Sequence, residues 1–185
     1  TNGTGNIYFG DSGDNDIGRI QYSHDSNLMY FTTNATEAMR IHSNQVIAST
    51  AGIALGVGNA NTASNVLDDY EEGTFTPTWG VQSGTVNSVS SNYGYYTKIG
   101  NLCTVFVGAV LTTTNPATFY KVTNLPFQAN ITNGDCIGSG YEFGQTGTLQ
   151  LVWVNDNSTQ LMTKKYDGNM IANPYLRLQC AYRTD

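Results

Sequence analysis

Charge is scarce in this chain: Asp, Glu, Lys and Arg together make up 12% of its 185 residues, about half the usual ~25%. There is no basic track for a phosphate backbone, and a net charge of −6 opposes one, so nucleic acid is not an expected partner. Cysteine is limited to Cys103, Cys136 and Cys180. An odd, sparse set argues against a disulfide framework, and no CxxC or Cys/His spacing supports a metal site. Cys103 and Cys180 fit apolar strand patterns as small buried residues. No apolar run approaches the ~18 residues of a membrane span, and no signal peptide is visible. The only histidines, His24 and His42, have no Ser or Cys nucleophile motif beside them. No catalytic set, metal or cofactor is expected.

Thr, Asn, Ser and Gly fill the place of charge. Aromatics at 11% and hydrophobic residues at 39% exclude disorder. Neutral polar side chains satisfy turns without the rotamer entropy of Lys or Glu, which suits long-lived extracellular β-structure. The acidity is lopsided. Up to Glu72 there are nine acids against Arg19 and Arg40, whereas from Gly73 onward five acids face six bases. Position 1 is Thr rather than Met, so the sequence reads as a fragment or processed product with an upstream attachment region missing.

Gly5–Ile41 alternates apolar and polar residues in short runs: Asn6–Phe9, Ile17–Ser23 and Leu28–Thr33 read as strands. Turn clusters at Asp11–Asp16, His24–Asn27 and Asn34–Thr36 separate them, and Met39–Ile41 and Val46–Ala48 flank a turn at Asn44-Gln45. These strands hold too little apolar area for a core, so the segment is expected to wind around copies of itself. A period of two groups Ile20 with Tyr22, and Met29 with Phe31, as the inward-facing set. Ala63, Val66, Leu67 and Tyr70 follow at i, i+3, i+4 and i+7, with Gly73 just beyond. That spacing predicts a short helical turn, which would extend the axial contact through Val66, Leu67 and Tyr70.

From Thr74 everything reads β. Predicted strands are Thr74–Trp79, Thr85–Val89, Gly94–Ile99, Leu102–Leu111, Ala117–Val122, Cys136–Phe143, Thr148–Val154, Gln160–Tyr166 and Tyr175–Tyr182, a spacing that suggests a sandwich or jelly roll. Two of them are apolar on both faces. Cys103, Val105, Val107 and Ala109 oppose Phe106 and Val110; Leu149, Leu151 and Trp153 oppose Val152 and Val154. A lone antiparallel sandwich shows one polar face, so the second apolar face needs a cover, either a neighbouring subunit or a long loop.

Chemistry-bearing residues are few. Asp68-Asp69 and Glu71-Glu72 cluster in what reads as a linker, and the acids beyond it fall mostly in turns, a poor basis for paired-carboxylate glycosidase chemistry. Asp11, Asp14 and Asp16 resemble the start of a calcium loop but lack its fixed Gly and terminal Glu, so an acidic turn capping its own amides is expected. Tyr93, Tyr95, Tyr96, Tyr141, Phe143, Tyr166 and Tyr175 stand among amides and hydroxyls, a mixture that suits glycan stacking as well as ordinary cross-strand packing. Binding chemistry belongs on loops. Of Thr112–Ala117, Asn133–Thr148 and Asn155–Thr159, the second is favoured, with Asn133, Asp135, Tyr141, Phe143 and Gln145 as candidate receptor contacts around several glycines. The competing reading turns Tyr141 and Phe143 into the core of a strand.

The runs IYFGD and DNDIGRIQY and the MRI ending at Ile41 resemble shaft modules of tail fibres from tailed bacteriophages. LDDYEEGTFTPTW followed by YYTKIGNLCTV resembles the lead-in to their terminal head domain. The resemblance implies an all-β homotrimer: an elongated trimeric β-shaft over 1–60, a short helical linker over 61–73 and a C-terminal β-sandwich, jelly-roll-like head over 74–185. It implies a virion location and a non-enzymatic function, attachment to a host-cell surface receptor, either a glycan or an outer-membrane protein. Other virion tail proteins would bind through the missing upstream region. A purely structural fibre or decoration protein, and a glycan-depolymerising spike, are the alternatives. Family members more often carry a Gly-containing turn where this chain has Asn44-Gln45, and they often continue into a self-cleaving chaperone domain.

Overall fold

The computed structural model describes residues 3–54, 66–116, 119–130, 136–168 and 171–184. It divides into two compact units, Thr1–Asp68 and Asp69–Asp185. The first contains β1 (Thr4–Phe9), β2 (Gly18–Ser23), β3 (Leu28–Thr33), β4 (Thr36–Ile41) and β5 (Ile47–Ser49), one antiparallel sheet in chain order. Short polar residues set its turns. Asp11 accepts hydrogen bonds from the N–H groups of Gly13 and Asp14 at 2.8 and 2.9 Å, and Asp14 from Asp16 at 3.0 Å, so the acidic turn caps its own amides. Thr33 pairs with Thr36, leaving Asn34 and Ala35 as a two-residue loop with φ of 50° and 55°, both left-handed as a type I′ turn requires. Gln45 sits at φ 69°, in the turn where the resemblance places glycine.

Register sorts this sheet into two unlike faces. Ile7 pairs with Ile20, Ile20 with Phe31, and Phe31 with Met39. Tyr22 pairs with Met29, Met29 with Ile41, and Ile41 with Ile47. Paired and alternate residues share a face, so the four expected inward residues Ile20, Tyr22, Met29 and Phe31 lie together in one apolar field. A bulge after Phe31 keeps Met39 in it. On the other face Arg40 grips Glu37 at 2.5 and 2.7 Å and lies 5.2 Å from the Tyr30 ring. Among the described residues of this unit no apolar side chain is fully buried; only Thr32 is.

The expected helical turn is not formed by its described residues. Val66 and Leu67 make strand β7 (Val66–Leu67), paired with β6 (Ile53–Ala54). Tyr70 opens β8 (Tyr70–Phe75); Ala63 lies outside the described residues. The helical spacing is coincidental. A two-turn helix must meet a costly nucleus for few hydrogen bonds, whereas β8 gains a full antiparallel ladder against Gly94–Ile99.

The second unit adds β9 (Trp79–Val81), β10 (Thr85–Ile99), β11 (Leu102–Thr114), β12 (Tyr120–Val122), β13 (Cys136–Glu142), β14 (Thr148–Val154), β15 (Leu161–Lys165) and β16 (Tyr175–Arg183). With β8 they form one nine-stranded antiparallel sheet in the order β8-β10-β11-β16-β13-β14-β15-β12-β9. In a flat sheet the outermost strands would stand about 38 Å apart. Here they are joined by Thr76, Pro77 and Thr78 alone, a link of at most about 15 Å. The sheet therefore curls back on itself, where the sequence suggests a sandwich of two sheets. The Trp79 indole N–H donates to Asn92 Oδ1 at 2.9 Å and the Asn92 amide to the Pro77 carbonyl at 2.9 Å, tying the curl together. Inside it lie Cys103, Val105, Val107, Ala109 and Leu111 of β11, Leu176, Leu178, Cys180 and Tyr182 of β16, and Tyr120, Val122, Val152, Val154 and Leu161. Burial pushes the Cys180 thiol up to about 12, with the nearby Cys136 and Cys103 adding to it, so it is an inert core group.

Candidate functional site

The outer face of the curled sheet is where apolar and polar groups meet solvent together. Residues alternating with the core set on β10, β11, β16, β13 and β14 point outward. Across one row Tyr95 pairs with Phe106, Phe106 with Gln179, Gln179 with Ser139 and Ser139 with Leu151. Across the next, Tyr93 pairs with Gly108, Gly108 with Arg177, Arg177 with Tyr141 and Tyr141 with Leu149. The two rows enclose an open depression of about 530 Å3. Gly108 makes room for it: a Cβ there would stand 2.4 Å from the Tyr93 hydroxyl oxygen, so only glycine lets that ring lie across β11.

Among the described residues, Arg177 is the one cation lining the depression. Its guanidinium carbon lies 5.0 Å from the Tyr93 ring centre and 4.7 Å from that of Phe143, a two-sided cation–π cradle. Nη1 donates to the Leu176 carbonyl at 3.2 Å. Among the described residues no carboxylate forms an ion pair with it. Tyr93 stands 5.5 Å from Tyr95, and Phe143 meets Tyr175 edge-to-face at 5.7 Å.

One buried carboxylate shapes the rim. Glu142 is 0% exposed, and its two oxygens accept the N–H groups of Gly144 (2.8 Å), Gln145 (3.0 Å), Thr146 (2.8 Å) and Tyr175 (3.2 Å), and the Thr146 hydroxyl (2.9 Å). Burial pushes its pKa up, but the Thr146 N–H and hydroxyl and the Tyr175 and Gly144 N–H groups outweigh that and hold it below the ordinary Glu value. The turn after β13 is thereby closed around an anion and tied to the start of β16.

Of the predicted receptor contacts, Tyr141 lines the depression and is 44% exposed. Phe143 packs under Arg177 beside it. Gln145 instead bridges backbones, donating to the carbonyls of Ala172 (3.0 Å) and Asn173 (2.5 Å). Asn133 and Asp135 lie outside the described residues. Within the favoured Asn133–Thr148 range, Cys136–Glu142 is strand rather than loop, paired to β14 throughout and to β16 over Ser139–Glu142. Tyr141 and Phe143 do not turn into the core; Glu142 between them does. Arg177, Phe106 and Gln179 are site residues that the sequence reading missed. Their signal was parity: Tyr175, Arg177 and Gln179 alternate with the apolar Leu176, Leu178 and Cys180.

The other candidates have local partners of their own. Tyr70 is exposed on β8 and donates to Glu72 at 2.7 Å. In the acidic stretch, Asp69 pairs with the buried Lys98, and Glu71 accepts from the Tyr96 hydroxyl at 2.5 Å. The His24 ring packs edge-on to Tyr22 at 4.9 Å. Among the described residues no group of three or more His, Cys, Asp or Glu side chains gathers to hold a metal ion.

No family model and no curated protein matches the sequence. A crystal structure of the Dettilon tailspike protein is similar over 62% of this chain and 24% of that chain, at 19% identity and a TM-score of 0.46.

Proposed function

We propose that this chain is part of a homotrimeric bacteriophage tail fibre that attaches the virion to a receptor on the host surface. One observation carries the reading: among the described residues, β1–β5 form a one-layer sheet whose apolar face, with Ile7, Ile20, Phe31, Met39, Tyr22, Met29 and Ile41 in two rows, has no fully buried side chain. A one-layer sheet cannot bury a face by itself. Copies of the same sheet supply the missing layers, and the shaft motifs IYFGD and DNDIGRIQY give the expectation of three. The axial contacts are then Ile20, Tyr22, Met29 and Phe31. The second unit has its own core and presents an outer face rich in Tyr, Phe and one Arg, which supports receptor binding rather than catalysis.

Light scattering on the purified chain tests the assembly: a trimer is expected, and a folded monomer overturns it. Competition of the chain against phage adsorption to host cells tests the attachment. Unchanged adsorption at saturating protein would assign the chain to a structural role, and release of reducing sugar from host polysaccharide would assign it to depolymerisation.

A further inference from the structure

We infer that the depression centred on Arg177 is a saccharide site selective for sugars bearing a carboxylate. The inference rests on the attachment reading above and names the ligand class for it. The depression offers what a pyranose needs. Tyr93, Tyr95, Phe106 and Tyr141 supply ring faces and edges for the apolar C–H side of a sugar. Among the described residues the hydroxyls of Tyr93, Tyr95 and Tyr141 and the Gln179 amide have no hydrogen-bond partner, so they are available to sugar hydroxyls. Its volume of about 530 Å3 lies in the range of small-ligand sites, about 300–1,000 Å3.

The charge selects within that class. Arg177 is clamped between the rings of Tyr93 and Phe143 at 5.0 and 4.7 Å, with no acid among the described residues forming an ion pair with it. A planar fork held in place and partly stripped of water is suited to a bidentate carboxylate. No acid is among the described residues lining the depression, so nothing in its lining opposes an anion. A peptide ligand fits less well. The strands β10, β11, β16 and β13 are paired on both sides, so there is no open edge to take an added strand. One cation is too few for a nucleic-acid backbone.

The test is calorimetry on the full chain with three probes: a trigalacturonate, its methyl ester, and the neutral maltotriose. The acid is expected to bind at least about tenfold more tightly than its ester, with an advantage that shrinks as salt rises. Arg177→Gln should abolish the difference, and Arg177→Lys should restore it only in part. Equal binding of acid and ester by the unaltered protein overturns the inference, and that comparison stands even if Arg177→Gln fails to fold. Dissociation of a trimer by Arg177→Gln also overturns it, since the face would then be a subunit contact. Binding of none of the three probes while the chain still blocks phage adsorption rejects the carboxylated-sugar site alone; loss of both rejects the attachment reading with it.

Discussion

The Thr146 hydroxyl and backbone N–H both donate to one carboxylate oxygen of Glu142, at 2.9 and 2.8 Å. The other oxygen takes Gly144, Gln145 and Tyr175. An acid that keeps its charge while wholly buried does so because five donors replace water. Glu142→Gln replaces one accepting oxygen with an NH2 that faces donors. A loss of about 2–3 kcal/mol is expected, read as a lower chemical-denaturation midpoint. The folded-state pKa lies below the unfolded value, so the carboxylate's contribution is complete above about pH 4.3 and disappears as pH falls through the folded value. The stability gap between the unaltered chain and the variant should therefore narrow on acidification. A gap that widens below pH 4 would contradict the charged assignment.

Met29→Asp and Phe31→Asp place a carboxylate in the apolar field of the first sheet, where Phe31 faces Ile20 and Met39, and Met29 faces Tyr22 and Ile41. At a trimer axis the charge is repeated in each copy, at several kcal/mol apiece. Soluble trimer should be lost, as measured by light scattering. A trimer that survives either change would move the axis elsewhere.

Tyr141 is 44% exposed on a strand paired on both sides. Tyr141→Ala should therefore change stability by less than about 1 kcal/mol while weakening host adsorption. A melting temperature that falls by several degrees before any loss of adsorption would assign the side chain to packing instead.

Gln45 carries a φ of 69°, and its N–H donates to the His42 carbonyl at 2.8 Å while His42 N–H donates to Val46 at 2.8 Å. Glycine adopts that backbone without a Cβ clash. Gln45→Gly should stabilise the first unit by roughly 0.5–1 kcal/mol, a small rise in melting temperature with no change in oligomer mass. A decrease would show that the Gln45 side chain contributes contacts of its own.

Strict parity made much of the second unit legible. Thr148–Val154 forms as expected, and Cys103, Val105, Val107 and Ala109 face the core while Phe106, Leu149 and Leu151 face out. Two features broke the pattern. Expected strands 85–89 and 94–99 are one strand, β10, because bulges between Val86 and Ser88 and between Ser90 and Tyr93, with Ser91 at φ 48°, shift the register inside a continuous ladder. Polar residues at a bulge look like a loop in one dimension. The false helix arose because Val66, Leu67 and Tyr70 happen to fit one helical face, while the partners that make them strands, Ile53 and Ala54 for β7 and Ile99 for Tyr70, are remote in sequence. Arg177 was hidden for a related reason: the rings that hold it come from positions 93 and 143, a neighbourhood that only the strand order creates.

The three-residue link between β8 and β9 has a kinetic consequence. Those edge strands are nearly adjacent along the chain, yet the hydrogen-bonded route between them passes through all the other strands of the sheet. Trp79 and Asn92 are 13 residues apart, so their bond closes a short loop once β8 has paired with β10, while the pairing of β9 with β12 brings in a segment from farther along the chain. The Trp79–Asn92 bond thus ties a local corner into a sheet dominated by pairings between distant segments. Such folds form slowly, and those of their pairings that are absent from the transition state slow opening more than they speed closing. Slow opening lets such a sheet keep its shape over long times.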